Sequence, residues 1–178
     1  LKQLTDHLRS HSLRRDGPFR LRSGLESPWY LDARLTTFDG VGARLVGEVM
    51  LSVMRPEVTA LGGMTMGADP IAVATAVAAA GVGRPMRAFS IRKEEKDHGV
   101  GGRLVGPVGD GERVALVEDT TTTGAALMEA LAVARGHGLV VLQAVSLVDR
   151  SEGKVAAQMS EEGVAYLALI LPSDLGVA

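Results

Sequence analysis

The sequence contains no cysteine. That excludes disulfides and thiolate metal sites, and it fits a reducing compartment, so a cytoplasmic location is expected. Neither sign of charge dominates: 19 Lys and Arg stand against 21 Asp and Glu, for a net charge of −2. The balance argues against non-specific binding to nucleic acid or to a membrane surface. No apolar run reaches the roughly 18 residues that a membrane span needs. The longest candidate, Ile71 to Ala80, is short and rich in Ala. No basic segment followed by an apolar one opens the chain, so no signal peptide is expected. Internal repeats and low-complexity linkers are also missing. What remains is 178 residues, which suits a single domain able to bury roughly 70% of its unfolded-chain surface.

Strand and helix signals alternate along that length. Leu1, Leu4 and Leu8 recur at helical spacing. Phe19 to Leu35, broken by Gly24 and Pro28, reads as two short strands of a small N-terminal unit. A helix is expected over Asp39 to Met54, stopped by Pro56, and a buried strand over Val58 to Gly62. Asp69 is placed to cap the next helix, with Pro70 in its first position and Gly81 at its end. A strand over Met86 to Ile91 precedes a long polar, glycine-rich loop, residues 92–110. Val114 to Val117, Val140 to Val148 and Tyr166 to Leu171 read as further strands, with a helix over Gly124 to Ala134. The alternation predicts an α/β fold with a parallel sheet flanked by helices.

One string carries most of the chemistry. VALVEDTTTTGAAL, Val114 to Leu127, runs from an apolar strand through Glu118 and Asp119 to four threonines and Gly124, then into a helix. Ligands of open α/β sheets bind at such carboxyl ends of strands. Backbone N–H groups and the helix dipole favour an anion there. Hydroxyls of Thr120, Thr121, Thr122 and Thr123 add donors, and Gly124 permits close approach. Carboxylates accept hydrogen bonds from vicinal hydroxyls, so the two acids suit a ribose. A plain strand–turn–helix with a capping threonine explains Thr123 and Gly124, but neither the paired acids nor the threonine run. No Gly-Lys-Ser/Thr follows the glycine, so this is not a Walker A loop.

The string resembles the phosphoribosyl pyrophosphate (PRPP) signature of type I phosphoribosyltransferases. The resemblance implies that family's fold, a parallel sheet with helices and a small N-terminal hood, here about residues 1–35 of one domain spanning 1–178. It also implies that Glu118 and Asp119 hold the ribose hydroxyls. The loop from Thr120 to Gly124, with Ala125 and Ala126 at the helix start, would hold the 5-phosphate.

A second string, RKEEKDHGVGG from Arg92 to Gly102, packs Arg92, Lys93, Lys96 and His98 among Glu94, Glu95 and Asp97. Alone it reads equally well as a solvated charged loop. Beside the first string it resembles the flexible catalytic loop of orotate phosphoribosyltransferases. The resemblance implies that Arg92, Lys93, Lys96 and His98 grip PRPP, that Lys96 and His98 act in catalysis with Asp119, and that loop 92–104 works in trans across a homodimer. SGLESPWYLDAR, Ser23 to Arg34, resembles the family's orotate-binding segment. By that resemblance Arg22, Tyr30, Leu31, Thr122 and Arg150 contact orotate, while Trp29 reads as a core aromatic. GGMTMGADP, Gly62 to Pro70, resembles the pyrophosphate loop, with Met66 where many relatives carry Lys. Gly63 and Gly67 are expected to let backbone amides reach that ligand.

The implied reaction joins N1 of orotate to C1 of the ribose and expels pyrophosphate, with Mg²⁺ on the substrate phosphates and no protein metal ligand assigned. Two alternatives stay open. A purine-type phosphoribosyltransferase would share the first string but not the Arg-Lys-Glu-Glu-Lys-Asp-His loop. A non-catalytic PRPP-sensing regulator would need a nucleic-acid-binding element, and none is apparent.

Overall fold

The hydrophobic alternation of the long strands decides how this molecule layers. In the computed structural model, which describes residues 1–20, 26–95 and 102–177, Val114 and Leu116 face one layer of helices while Ala115 and Val117 face the other. The chain runs α1 (Lys2–His11), β1 (Leu13–Arg14), β2 (Phe19–Arg20), β3 (Glu26–Ser27), β4 (Tyr30–Leu31), α2 (Arg34–Thr37) and α3 (Gly40–Val53). It continues through β5 (Ala60–Met64), α4 (Ala68–Gly81), β6 (Arg87–Ile91), β7 (Leu104–Val105) and β8 (Arg113–Thr121). It ends with α5 (Ala125–Gly136), β9 (Val140–Asp149), α6 (Lys154–Glu161), β10 (Ala165–Ile170) and a 3-10 turn, Pro172–Leu175.

Six strands form the main sheet in the order β10-β9-β8-β5-β6-β7. Every pairing is parallel except β6 with β7. One core layer joins Leu4, Leu8, Trp29 and Leu31 to Leu45, Val46, Met50 and Ile71 against that sheet. The opposite layer packs Leu127, Leu131, Val155 and Met159 on Leu116, Phe89 and Ile91. A fully buried Leu or Ile of this kind contributes roughly 1.5–3 kcal/mol. Asp39 anchors α3, its Oδ1 accepting from the amides of Val41 and Gly42 at 3.0 and 2.8 Å. Such a cap is worth about 1 kcal/mol.

Strand order reverses between β5 and β8. From β5 the chain crosses through α4 to β6 on one side; from β8 it crosses through α5 to β9 on the other. The carboxyl ends of β5 and β8 therefore open a crevice at the switch point, where α/β sheets bind ligands.

Several expectations need correction. Asp69 does not cap α4; that helix starts at Ala68, two residues before the expected Pro70, and Asp69 accepts from the Thr65 hydroxyl at 2.6 Å instead. Gly62 and Gly63 lie inside β5 rather than at its end. A Cβ at Gly62 would lie 2.1 Å from the Phe89 carbonyl oxygen, so close strand packing explains that glycine. Residues 92–110 are not loop throughout, because Leu104–Val105 returns as an antiparallel edge strand. The N-terminal region holds short antiparallel pairs, β1 with β4 and β2 with β3. Ladders of two residues are below what alternation can reveal. Helix α6 was not foreseen either.

Candidate active site

Glu118 and Asp119 end β8 at the crevice. Glu118 is 8% exposed, and its Oε2 is buried with no hydrogen-bond partner among the described residues. Burial, then the neighbouring Asp119 carboxylate, pushes the Glu118 carboxyl up to about 8, while the Lys93 ammonium pulls it down. Asp119 is also raised by burial, against the lowering effect of the Thr120 amide, which donates to its Oδ1 at 2.7 Å. The Arg34 guanidinium lowers it further. Across the crevice, a Cβ at Gly67 would lie 2.7 Å from Asp119 Oδ1. The loop after β5 thus rests directly on the acid pair. Gly63 is different: its missing side chain makes room for the Val117 carbonyl and Ala68, not for a ligand. Met66 is exposed.

The four threonines divide. Thr122 and Thr123 are exposed, as are Ala125 and Ala126 at the start of α5. With Glu118, Thr120, Thr121, Gly124 and Leu127 they line a recess of about 70 Å³. Thr121 lines the same recess, but its hydroxyl is engaged on the side of β9 and β10. It is buried, its hydroxyl donates to Asp149 Oδ1 at 2.9 Å, and it meets the Tyr166 hydroxyl at 3.2 Å. Burial pushes the Tyr166 phenol up to about 12. Gly124 adopts φ +80°, a left-handed backbone conformation that favours glycine. A larger groove of about 690 Å³ between α3 and α4 holds none of the expected site residues.

Arg150 follows β9, the strand beside β8. Its amide donates to the Thr121 carbonyl at 2.8 Å, and its guanidinium lies over the Trp29 ring, 4.1 Å from the centroid. Trp29 is buried, as expected. Tyr30 is 38% exposed, whereas the Leu31 side chain is turned into the core. That leaves Leu31 no side-chain surface for a ligand, because in a β-strand successive residues face opposite sides. Arg92 exchanges backbone hydrogen bonds with the base of β7: its amide donates to the Arg103 carbonyl, and Arg103 Nε donates to the Arg92 carbonyl, both at 2.8 Å. Arg103 also pairs with Glu129 of α5. Lys93 is exposed. Arg22, Lys96 and His98 lie outside the described residues.

Sequence reasoning missed three participants. Arg34 holds Asp32 in a two-pronged pair, Nε to Oδ1 at 2.8 Å and Nη2 to Oδ2 at 2.9 Å, within the field of Asp119. The Asp-Ala-Arg spacing was its only local sign. Asp149 ties the threonine loop to β9 by accepting from Thr121 and from the Ser151 amide. Arg103 braces the stalk of the basic segment. Neither announces itself in the sequence, since both act between distant elements.

No family model matches the chain. Its likeness to known proteins is nevertheless extensive. Over 178 residues it is 40% identical to the orotate phosphoribosyltransferase of Streptomyces coelicolor, covering 99% of this chain and 95% of that one. The chain belongs to the orotate phosphoribosyltransferase family. Among solved structures, the Mycobacterium tuberculosis H37Rv orotate phosphoribosyltransferase in complex with Fe(III) dicitrate superposes with a TM-score of 0.87 at 33% identity, covering 99% of this chain and 98% of that one. The same Mycobacterium enzyme in complex with PRPP gives 0.82 at 31% identity, over 99% and 98%. The sheet and its flanking helices are thus those of an orotate phosphoribosyltransferase, and the purine-type and regulatory alternatives give way to it. No helix among the described residues is long and apolar enough to cross a membrane.

Proposed function

We infer that the chain is an orotate phosphoribosyltransferase acting in de novo pyrimidine synthesis. It transfers the ribose-5-phosphate of PRPP to N1 of orotate, giving orotidine 5'-monophosphate and pyrophosphate. The observation that carries this reading, beyond family membership, is Glu118: a buried carboxyl with an unpartnered oxygen at the mouth of a threonine-lined recess. A ribose hydroxyl donating to that oxygen would satisfy it and draw its pKa down. Thr122, Thr123 and the first amides of α5 suit the 5-phosphate, and Thr120, Gly124, Ala125 and Ala126 shape the pocket around it. Tyr30 and Arg150 suit the base, with Thr122 between the two substrates. Arg22, and Leu31 through its main chain, complete the base site in this proposal.

In the transfer, orotate gives up its N1 proton to solvent or to the departing pyrophosphate, the N1 electron pair forms the bond to C1 as the bond to the pyrophosphate oxygen breaks, and that bond's electron pair leaves with pyrophosphate. No covalent enzyme intermediate is needed, so positioning and electrostatics supply catalysis. Asp119 and Glu118 stabilise positive charge developing on the ribose. Arg92, Lys93, Lys96 and His98 receive the charge of the departing pyrophosphate. Among the described residues no three His, Asp or Glu side chains gather as a metal site. Mg²⁺ would bind mainly through the substrate's phosphates, and there it would supply neutralisation of the leaving group's charge.

Residues 1–35 serve as the hood, and the active unit is a homodimer whose loop 92–104 reaches the neighbour's site. The enzyme works in the cytoplasm, where its phosphorylated substrate is retained. Purified protein with Mg²⁺ and PRPP should consume orotate, read as loss of its absorbance. Turnover of adenine or hypoxanthine without orotate would overturn the assignment. For the dimer, Lys96→Ala and Asp119→Asn chains refolded together should regain about a quarter of the sites through mixed pairs. Mixed dimers with no regained activity would place Lys96 on its own chain's site.

A further inference from the structure

Arg150 has an unusual environment for a half-buried cation. Its main chain is fixed on both sides: its own amide bonds the Thr121 carbonyl, and Asp149 before it accepts from Thr121 and from the Ser151 amide. Among the described residues its guanidinium forms no ion pair and no hydrogen bond; its one marked contact is the Trp29 ring at 4.1 Å. Trp29 is itself well held. It is 9% exposed, and its carbonyl accepts from the buried Ser27 hydroxyl at 2.7 Å. Beside the stack opens a cavity of about 530 Å³ that Leu171, Pro172 and Ser173 also line.

A guanidinium stacked on an aromatic ring spends its flat face on the ring. Its N–H donors stay in the plane, pointing away from the stack. Those donors form the fork that matches a carboxylate in bidentate geometry. A free arginine at the same place would sample many rotamers. Against a buried tryptophan it is held in the orientation that a planar, carboxylated ring requires.

We propose that Trp29 is a positioning residue for base recognition: it holds the Arg150 guanidinium flat so that its in-plane edge takes the carboxylate of the incoming pyrimidine. The proposal rests on Arg150 contacting orotate. It makes Trp29, rather than Arg150 alone, the source of preference for a carboxylated over an uncarboxylated base.

The test compares Arg150→Ala, Trp29→Leu, Trp29→Phe and the double variant Trp29→Leu/Arg150→Ala in steady-state kinetics. Trp29→Leu should raise KM for orotate about tenfold and leave KM for PRPP within twofold. Trp29→Phe should recover most of the loss, since a smaller ring still offers a face. The double variant should be no worse than Arg150→Ala, because coupled residues are non-additive. Trp29 is the only tryptophan, so fluorescence reads the stack without ligand: Arg150→Ala should alter its emission. If Arg150→Ala leaves KM for orotate unchanged, the reading of Arg150 falls. If Arg150→Ala raises that KM but Trp29→Leu does not, only the role of Trp29 falls. Should Trp29→Leu fail to fold, unchanged emission in Arg150→Ala or a tenfold KM rise in Trp29→Phe equal to that of Arg150→Ala would overturn the proposal.

Discussion

Two glutamates bracket the strand β8. Glu112 stands just before it and Glu118 near its end, and both side chains are largely buried. Glu112 is fully engaged. Arg87 pairs with it at 2.5 Å, the Thr59 hydroxyl donates to Oε1 at 3.1 Å, and the Gly109 amide donates to Oε2 at 3.3 Å. Glu118 keeps an oxygen without a partner and faces another carboxylate, which together with burial lifts it to about 8. The same residue type therefore does opposite work at the two ends of one strand. At the amino end it secures the fold. At the carboxyl end it is held in a state that the fold alone would not favour, which supports the proposed ribose contact.

The contrast is sharpest if the acid pair is altered. Asp119→Asn should lower kcat/KM by about 10²–10³-fold, or roughly 3–4 kcal/mol of transition-state stabilisation, with circular dichroism unchanged. Near-normal kcat/KM would reduce Asp119 to an ordinary strand-end acid.

Stability should move in opposite directions at the two glutamates. The folded Glu118 value lies above its ordinary 4.5. Such a carboxyl stabilises the fold below the ordinary value and loses that contribution as pH rises through the folded one. The ligand-free enzyme should therefore weaken from about pH 4.5 to about pH 8. Glu118→Gln removes the loss, so its Tm should exceed the parent's at pH 9 and differ little from it at pH 5. Equal Tm differences at both pH values would contradict the raised value. Glu112→Ala should instead lower stability by about 1 kcal/mol, because Arg87 is half exposed and keeps its solvation. Its kcat/KM should stay near the parent's. A large loss of activity there would erase the distinction between the two ends.

The smallest effect is expected beside the pair. Met66→Lys adds a cation to the loop whose Gly67 touches Asp119. KM for PRPP should fall a few-fold, on the order of 1 kcal/mol. Unchanged affinity for both PRPP and pyrophosphate would mean that position 66 points away from the ligand.

The long elements of the fold were legible because their cues are local. Val114 to Val117 and Val140 to Val148 are apolar runs that match β8 and β9, and the Asp39 helix starts where its cap predicts. The acid pair and threonine loop were legible for the same reason, being contiguous. What escaped depends on partners far along the chain. Thr121 looks like its three neighbours until Asp149 and Tyr166 claim its hydroxyl. Gly63 looks like a ligand-binding glycine until Val117 fills its space. Asp69 looks like a cap until Thr65 donates to it.

The sheet order also bears on how the chain is made. β5 lies between β6 and β8, and Ala60 pairs with Val114, 54 positions later. During synthesis β5 can zip to β6 early, but its other edge stays bare until β8 emerges. A parallel pairing at such separation is slow to form, and an open strand edge is a template for association with other chains. The strand that ends in Glu118 and Asp119 is thus also the one that covers the bare edge of β5, and it passes the open edge on to β9. A nascent chain stalled before residue 114 would leave that edge of β5 open to other chains.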